Sequence, residues 1–90
     1  MIQTLYEIIK DRQAHPKEGS YTNELLNGGY QRAAQKVGEE AVEVIIAAGC
    51  QGEQRFIEES ADLLYHWLVL LVQQGVSLQA VEEELRNRHR

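Results

Sequence analysis

The chain has 90 residues, enough for one domain, with nine basic and fourteen acidic side chains and a net charge of −5. A chain this short buries only a modest share of its surface by itself, so association with a second copy is expected. The acidic balance excludes a general nucleic-acid binder, which needs a basic face for phosphates, although a divalent cation can reverse the local field and admit a small anionic ligand.

A lone cysteine, Cys50, rules out an internal disulfide and a cysteine-based zinc site and suits a reducing cytosol. Met1-Ile2-Gln3-Thr4-Leu5 has no basic region followed by a long apolar run, so no signal peptide is expected. The longest apolar stretch, Trp67 to Val72, is too short to cross a bilayer. These features predict a soluble, cytoplasmic protein with no membrane partner.

In chain order the elements read as helices, because no alternation of apolar and polar residues marks a strand. The first is expected over Ile2 to Ala14, with Ile2, Leu5 and Ile9 on one stripe, Ile8 beside it, and Pro16 and Gly19 as breakers. A short helix follows over Tyr21 to Asn27, with Thr22 or Ser20 as N-cap and Gly28-Gly29 as its stop. The loop between them carries Lys17 and Ser20, placed as a solvated connector or as a ligand contact. Two long helices are expected from about Tyr30 to Ala48 and from about Glu53 to Gln74, closed by Gly49 and Gly75. Ser77 caps the last helix, which ends in the basic run Arg86-Asn87-Arg88-His89-Arg90, suited to the negative end of a helix dipole. The fold class is thus all-α: a single domain over residues 1–90, a bundle subunit of four to five helices that dimerises.

Two acidic clusters of one form, Glu39-Glu40-x-x-Glu43 and Glu58-Glu59-x-x-Asp62, flank the turn Gly49-Cys50-Gln51-Gly52. If the long helices fold back antiparallel, about 8 to 10 Å apart, all six acids meet at one height. Arg32, Lys36, Glu39, Glu40 and Glu43 share one side of the first long helix, and the rest of its circumference is apolar, which predicts a largely buried helix. Ordinary solvent-facing charge is the blander reading. Against it, like charges three and four residues apart repel, and no base follows at the i+4 offset: Ala47 follows Glu43, Leu63 follows Glu59 and His66 follows Asp62. A shared cation relieves that repulsion. Oxygen ligands point to a hard ion, Mg²⁺ or Mn²⁺, and the Glu-x-x-His pairs of a di-iron bundle are absent. His66 reads either as a residue that orients Asp62 or as a packed side chain with one hydrogen bond, and Tyr65 and Trp67 as core or interface residues.

The spacing Glu39-Glu40-x-x-Glu43 then Glu59-x-x-Asp62 resembles the signature of the all-α nucleotide pyrophosphohydrolases of the MazG type. Within that group, Lys36-Val37-Gly38-Glu39-Glu40-Ala41-x-Glu43, Ala61-Asp62-Leu63-Leu64-Tyr65-His66 and Ser20-Tyr21-Thr22 look like the phosphoribosyl-ATP pyrophosphatase family. The resemblance covers nearly the whole chain. It implies Mg²⁺-dependent hydrolysis of 1-(5-phosphoribosyl)-ATP to 1-(5-phosphoribosyl)-AMP and pyrophosphate, the second step of histidine biosynthesis, by a homodimer. It also implies Glu40, Glu43, Glu59 and Asp62 as metal ligands, Glu39 as an outer or water-activating carboxylate, and Lys36 as a phosphate contact. Lys17, Ser20, Thr22, Arg32, Arg12 and the tail arginines are candidates for the remaining substrate charge. In this family the step is often fused to a cyclohydrolase domain, and the stand-alone form is expected here. The competing readings are a related enzyme acting on dUTP or a modified triphosphate, and a helical module that only binds a partner.

Overall fold

The computed structural model describes residues 1–89 and is built from five helices: α1 (Ile2–Ala14), α2 (Tyr21–Asn27), α3 (Gly29–Cys50), α4 (Gly52–Gln74) and α5 (Leu78–Arg88). The all-α expectation holds, and every expected helix start and stop lies within two residues of the one found. The largest departure is the end of α3.

Gly49 does not stop α3, which runs on through Gly49 to Cys50 before Gln51 breaks it. One glycine inside a helix costs only about 1 kcal/mol relative to alanine. The turn comes at Gly52, whose φ of +85° lies where a side chain is strained. At the far end of α4, Gly75 adopts φ +71° and the chain closes with Gly75 N–H to Val72 O and Val76 N–H to Leu71 O, both 3.0 Å. These bonds satisfy carbonyls that the last turn would otherwise leave open.

The connector before α2 is tied down. Ser20, rather than Thr22, caps α2, its hydroxyl accepting from the Asn23 N–H at 3.2 Å. Buried Asn23 accepts the Lys17 N–H at 2.8 Å and donates to the Arg12 carbonyl at 2.7 Å. On α1 the buried residues are Tyr6 and Ile9, with Leu5 packed beside them, while Ile2 and Ile8 are exposed. The face is rotated from the expected stripe because Tyr6 buries its ring and still donates its hydroxyl to the Val76 carbonyl at 2.8 Å. Ser77 caps α5 through the Ala80 N–H, and Gln79 of α5 donates to Gln3 of α1 at 2.7 Å. In the basic tail Arg86 pairs with Glu83 and Arg88 with Glu84 on their own helix, and Arg90 lies outside the described residues.

One hydrophobic core joins Tyr6, Ile9, Leu25, Ala33, Leu68, Val69, Leu71, Val72 and Leu78, with Tyr65 and Trp67 packed against it. All lie on α1, α2, α5, the start of α3 or the second half of α4. The remaining half of the α3–α4 hairpin, around the turn, is built differently. There α3 buries Glu40 and Ala47, which share a line with Ala33 at intervals of seven residues, whereas Val42, Ile45 and Ile46 are exposed. The expectation of a largely buried α3 therefore fails within one chain: Glu40 of its polar stripe faces inward while Glu39 and Glu43 stay exposed, and much of its apolar arc faces out. On α4, Phe56, Ile57 and Leu64 are likewise exposed.

The molecule is a slab of 39 × 38 × 24 Å with a radius of gyration of 14.2 Å, above the roughly 12 Å of a compact chain this long. Its surface of 6177 Å² exceeds by about 800 Å² the value expected for a compact monomer of its mass. Among the described residues no helix is long and apolar enough to cross a membrane.

Candidate functional site

The antiparallel packing of α3 against α4 brings acids from both helices together, but not all six. Glu40, Glu43 and Glu59 each offer a carboxylate oxygen within 4.8 Å of the other two. Asp62, on α4 three residues past Glu59, is exposed and outside this group, as are Glu39 and Glu58. For Glu39 and Glu58 the reason is rotational: at 100° per residue only one member of each adjacent Glu-Glu pair turns toward the partner helix.

Glu40 and Glu59 are the buried members, at 7 % and 5 % exposure. One oxygen of each, Oε2, has no hydrogen-bond partner among the described residues. A buried charged oxygen without a partner carries a desolvation cost that a well-packed helix pair ordinarily avoids. Glu43 feels the same crowding. Its carboxyl is pushed up to about 7, first by hydrogen bonding with Glu40, then with Glu59, and then by the charge of Glu40. Three carboxylates this close disfavour one another's charge, and Glu43 shows it most. The set offers oxygen donors alone, two of them buried and unsatisfied, which fits a hard divalent cation and not a thiophilic one.

The outer oxygens are held by bases that stand before the acids, not after them. Lys36 Nζ lies 3.5 Å from Glu39 Oε1 and 3.4 Å from Glu40 Oε1. Burial disfavours the Lys36 charge, but Tyr21, Glu40 and Glu39 outweigh it and hold the ammonium above its ordinary range. On α4, Arg55 Nη1 donates to Glu58 Oε1 at 2.6 Å while Nη2 grips Glu59 Oε1. The i+4 positions are without bases as expected, yet i−3 and i−4 are filled. A shift of nineteen positions carries Lys36, Glu39, Glu40 and Glu43 onto Arg55, Glu58, Glu59 and Asp62. The repeat thus includes its bases, a signal that a search in the opposite chain direction would have found. Glu39 is kept below its ordinary range chiefly by the Gln35 amide, 3.0 Å away.

Next to this group the motif residues of α2 and α4 cross-link. His66 Nδ1 lies 2.7 Å from the Asp62 carbonyl, which can only accept, so the proton is on Nδ1. A neutral ring then accepts from the Tyr21 hydroxyl at Nε2, 2.9 Å away. Thr22 Oγ1 bonds the Tyr65 hydroxyl, and burial pushes the Tyr65 phenol up. His66 is therefore packed, as expected, with two hydrogen bonds instead of one. Thr22 is occupied by Tyr65, and Ser20 by the α2 cap. Lys17 is exposed on the connector, and Arg32 is half-buried on α3, its Cβ and Cγ where a side chain on Gly28 would fall.

A model of the family described as phosphoribosyl-ATP pyrophosphohydrolase matches residues 2–89. The phosphoribosyl-ATP pyrophosphatase of Sulfurisphaera tokodaii is 52 % identical over 88 residues, covering 98 % of this chain and 94 % of that protein. The protein of the same name from Lactiplantibacillus plantarum is 51 % identical over 87 residues, 97 % of this chain and 82 % of that one. A histidine biosynthesis bifunctional protein HisIE of Thermoanaerobacter pseudethanolicus is 48 % identical over 84 residues, 93 % of this chain but 39 % of that longer protein. With both long helices and their acids inside the matched span, the chain belongs to the phosphoribosyl-ATP pyrophosphohydrolase family.

Proposed function

We propose that this chain hydrolyses 1-(5-phosphoribosyl)-ATP to 1-(5-phosphoribosyl)-AMP and pyrophosphate, as a homodimer dependent on Mg²⁺ or Mn²⁺. Membership of the family supports the reaction, and the observation that carries the site is the trio Glu40, Glu43 and Glu59 with its two unpartnered buried oxygens. Those three residues would hold the cation, with Asp62 on the next turn of α4 within the same signature. The ion supplies Lewis acidity toward the phosphate oxygens and offsets their charge.

The chain's own groups do the rest. Lys36, fixed between Glu39 and Glu40, presents a positive charge to a phosphate oxygen. Glu39 is exposed, and the Gln35 amide keeps its carboxyl below its ordinary range; it would be the outer carboxylate that takes a proton from water. Arg32 and Lys17 lie on the α2 side and meet the remaining substrate phosphates, while Ser20 and Thr22 shape that side through α2 itself. The hydrogen bonds of Tyr21 and Thr22 to His66 and Tyr65 set the distance of α2 from the carboxylates.

The outward apolar arc supports the dimer reading. A second copy covering Val42, Ile45, Ile46 and Ile57 removes a surface excess of about 800 Å², the area that one partner contributes to a standard interface. The test of the reaction is pyrophosphate release from phosphoribosyl-ATP, ATP, dATP and dUTP in parallel, with and without chelator. Release from phosphoribosyl-ATP that chelator abolishes is the expected result. Faster release from another nucleotide moves the substrate, and silence on all four sinks the catalytic reading.

A further inference from the structure

The two buried carboxylates are held alike. Each has one oxygen against a base four residues earlier on its own helix, and each leaves the other oxygen without a partner. On α3 the base is Lys36. On α4 it is Arg55, which the acidic signature does not call for and which the proposed chemistry leaves unused.

Arg55 is half-exposed and spreads its fork over two carboxylates, exposed Glu58 and buried Glu59. A guanidinium is planar and presents its N–H groups at fixed angles, so two simultaneous grips fix where Glu59 points as well as offsetting its charge. With Glu43, Ile46, Gln51 and Glu59, Arg55 also lines a cavity of about 210 Å³ beside the α3–α4 turn. The carboxylate trio borders that cavity through Glu43 and Glu59.

We infer that Arg55 is a positioning residue for the divalent-cation site: it holds the outer oxygen of Glu59 so that the inner one stays grouped with Glu40 and Glu43. This inference rests on the reading of the trio as a cation site. It makes a prediction opposite in sign to the simplest alternative. A positive charge beside a cation site repels the cation, so a residue that merely neutralised Glu59 would weaken metal binding, and its removal would tighten it. A residue that orients the ligand does the reverse.

The experiment is Mn²⁺ binding to the full chain, followed by the electron paramagnetic resonance of free Mn²⁺, for the unaltered protein, Arg55→Gln, Arg55→Lys and Glu58→Gln. Turnover of phosphoribosyl-ATP is measured alongside, with kcat and KM separated. Arg55→Gln is expected to weaken Mn²⁺ binding by about 10- to 100-fold, the range for loss of a group that orients a metal ligand. Arg55→Lys is expected to restore most of it, because Lys36 shows that an ammonium at the equivalent position reaches both acids. Glu58→Gln keeps a hydrogen-bond acceptor for the fork and is expected to have a small effect. Unchanged or tighter Mn²⁺ binding in Arg55→Gln overturns the inference, as does unchanged binding with a raised KM, which would make Arg55 a substrate contact. No Mn²⁺ binding by the unaltered protein would remove the cation site itself and overturn the underlying reading. Far-UV melts check the fold, and Arg55→Met gives the same readout should the glutamine variant not fold.

Discussion

The two ends of the α3–α4 pair solve opposite problems with the same two helices. At the end joined by α1, α2 and α5, the helices turn apolar residues inward, and Ala33, Leu68, Val69 and Val72 sit in one core with residues from the other helices. Toward the turn no other helix among the described residues supplies the core, and the same rods turn Glu40 and Glu59 inward, with exposed Glu43 beside them, and Val42, Ile45 and Ile57 outward. One end is stabilised by burial and carries the other, which is held in a strained electrostatic arrangement. The proposed site lies where the folding rules are broken, and the intact end is what makes that breach tolerable.

The contrast is most sharply tested by Glu40→Gln. Loss of a cation ligand should lower kcat by about a thousandfold, corresponding to about 4 kcal/mol of lost transition-state stabilisation. The fold should be kept or slightly stabilised, since one like charge is gone. Steady-state turnover and a thermal melt on the same preparation check both halves, and a destabilised but active variant would break the comparison.

Leu68→Ala addresses the other end. It empties a fully buried site and should cost about 2–5 kcal/mol in urea unfolding, with the carboxylates themselves untouched. Ile45→Glu changes a residue that is 70 % exposed in the single chain. Such a substitution would ordinarily alter stability by no more than about 0.5 kcal/mol, yet sedimentation should show the dimer falling apart. A dimer of undiminished affinity would place the interface elsewhere.

The smallest effect is in pH. The Glu43 carboxyl rises from an ordinary value of 4.5 to about 7 on folding, so between those values the folded chain binds the proton that the unfolded chain has released. The stability contribution is fully present below about 4.5 and is lost as pH rises through about 7. Melting temperature in the presence of chelator should fall across that window and level off above it, whereas saturating Mg²⁺ should flatten or reverse the trend. A profile that rises from pH 5 to 7 in chelator would contradict the crowding of Glu43 with Glu40 and Glu59.

The helices were legible because their punctuation is local: Ser20 and Ser77 cap, Gly75 closes, and Pro16 lies in the break between α1 and α2. Gly49 misled because a helix tolerates one glycine, and only backbone conformation distinguishes it from Gly52. The meeting of two acidic clusters was legible from the hairpin, but which acids converge depends on the angular phase of each helix. Three of the six meet, and Asp62 is not among them. Arg55 escapes the i+4 rule because it stands on the N-terminal side of the acids it pairs with. The burial of α3 was misjudged for a different reason: an apolar arc announces that something must cover it without saying that the cover belongs to the same chain.

The connection between α3 and α4 consists of Gln51 alone, with Gly52 opening the next helix at φ +85°. A link that short leaves no slack, so it acts as a gauge that sets the height and angular phase of Glu59 against Glu40 and Glu43. Surface connections usually accept inserted residues with little consequence. Here each added residue taken up by α4 would advance it by about 1.5 Å and rotate it by about 100°, dispersing the trio while leaving every carboxylate in the chain. Across natural sequences of this kind, the length of the connection should therefore vary far less than its composition.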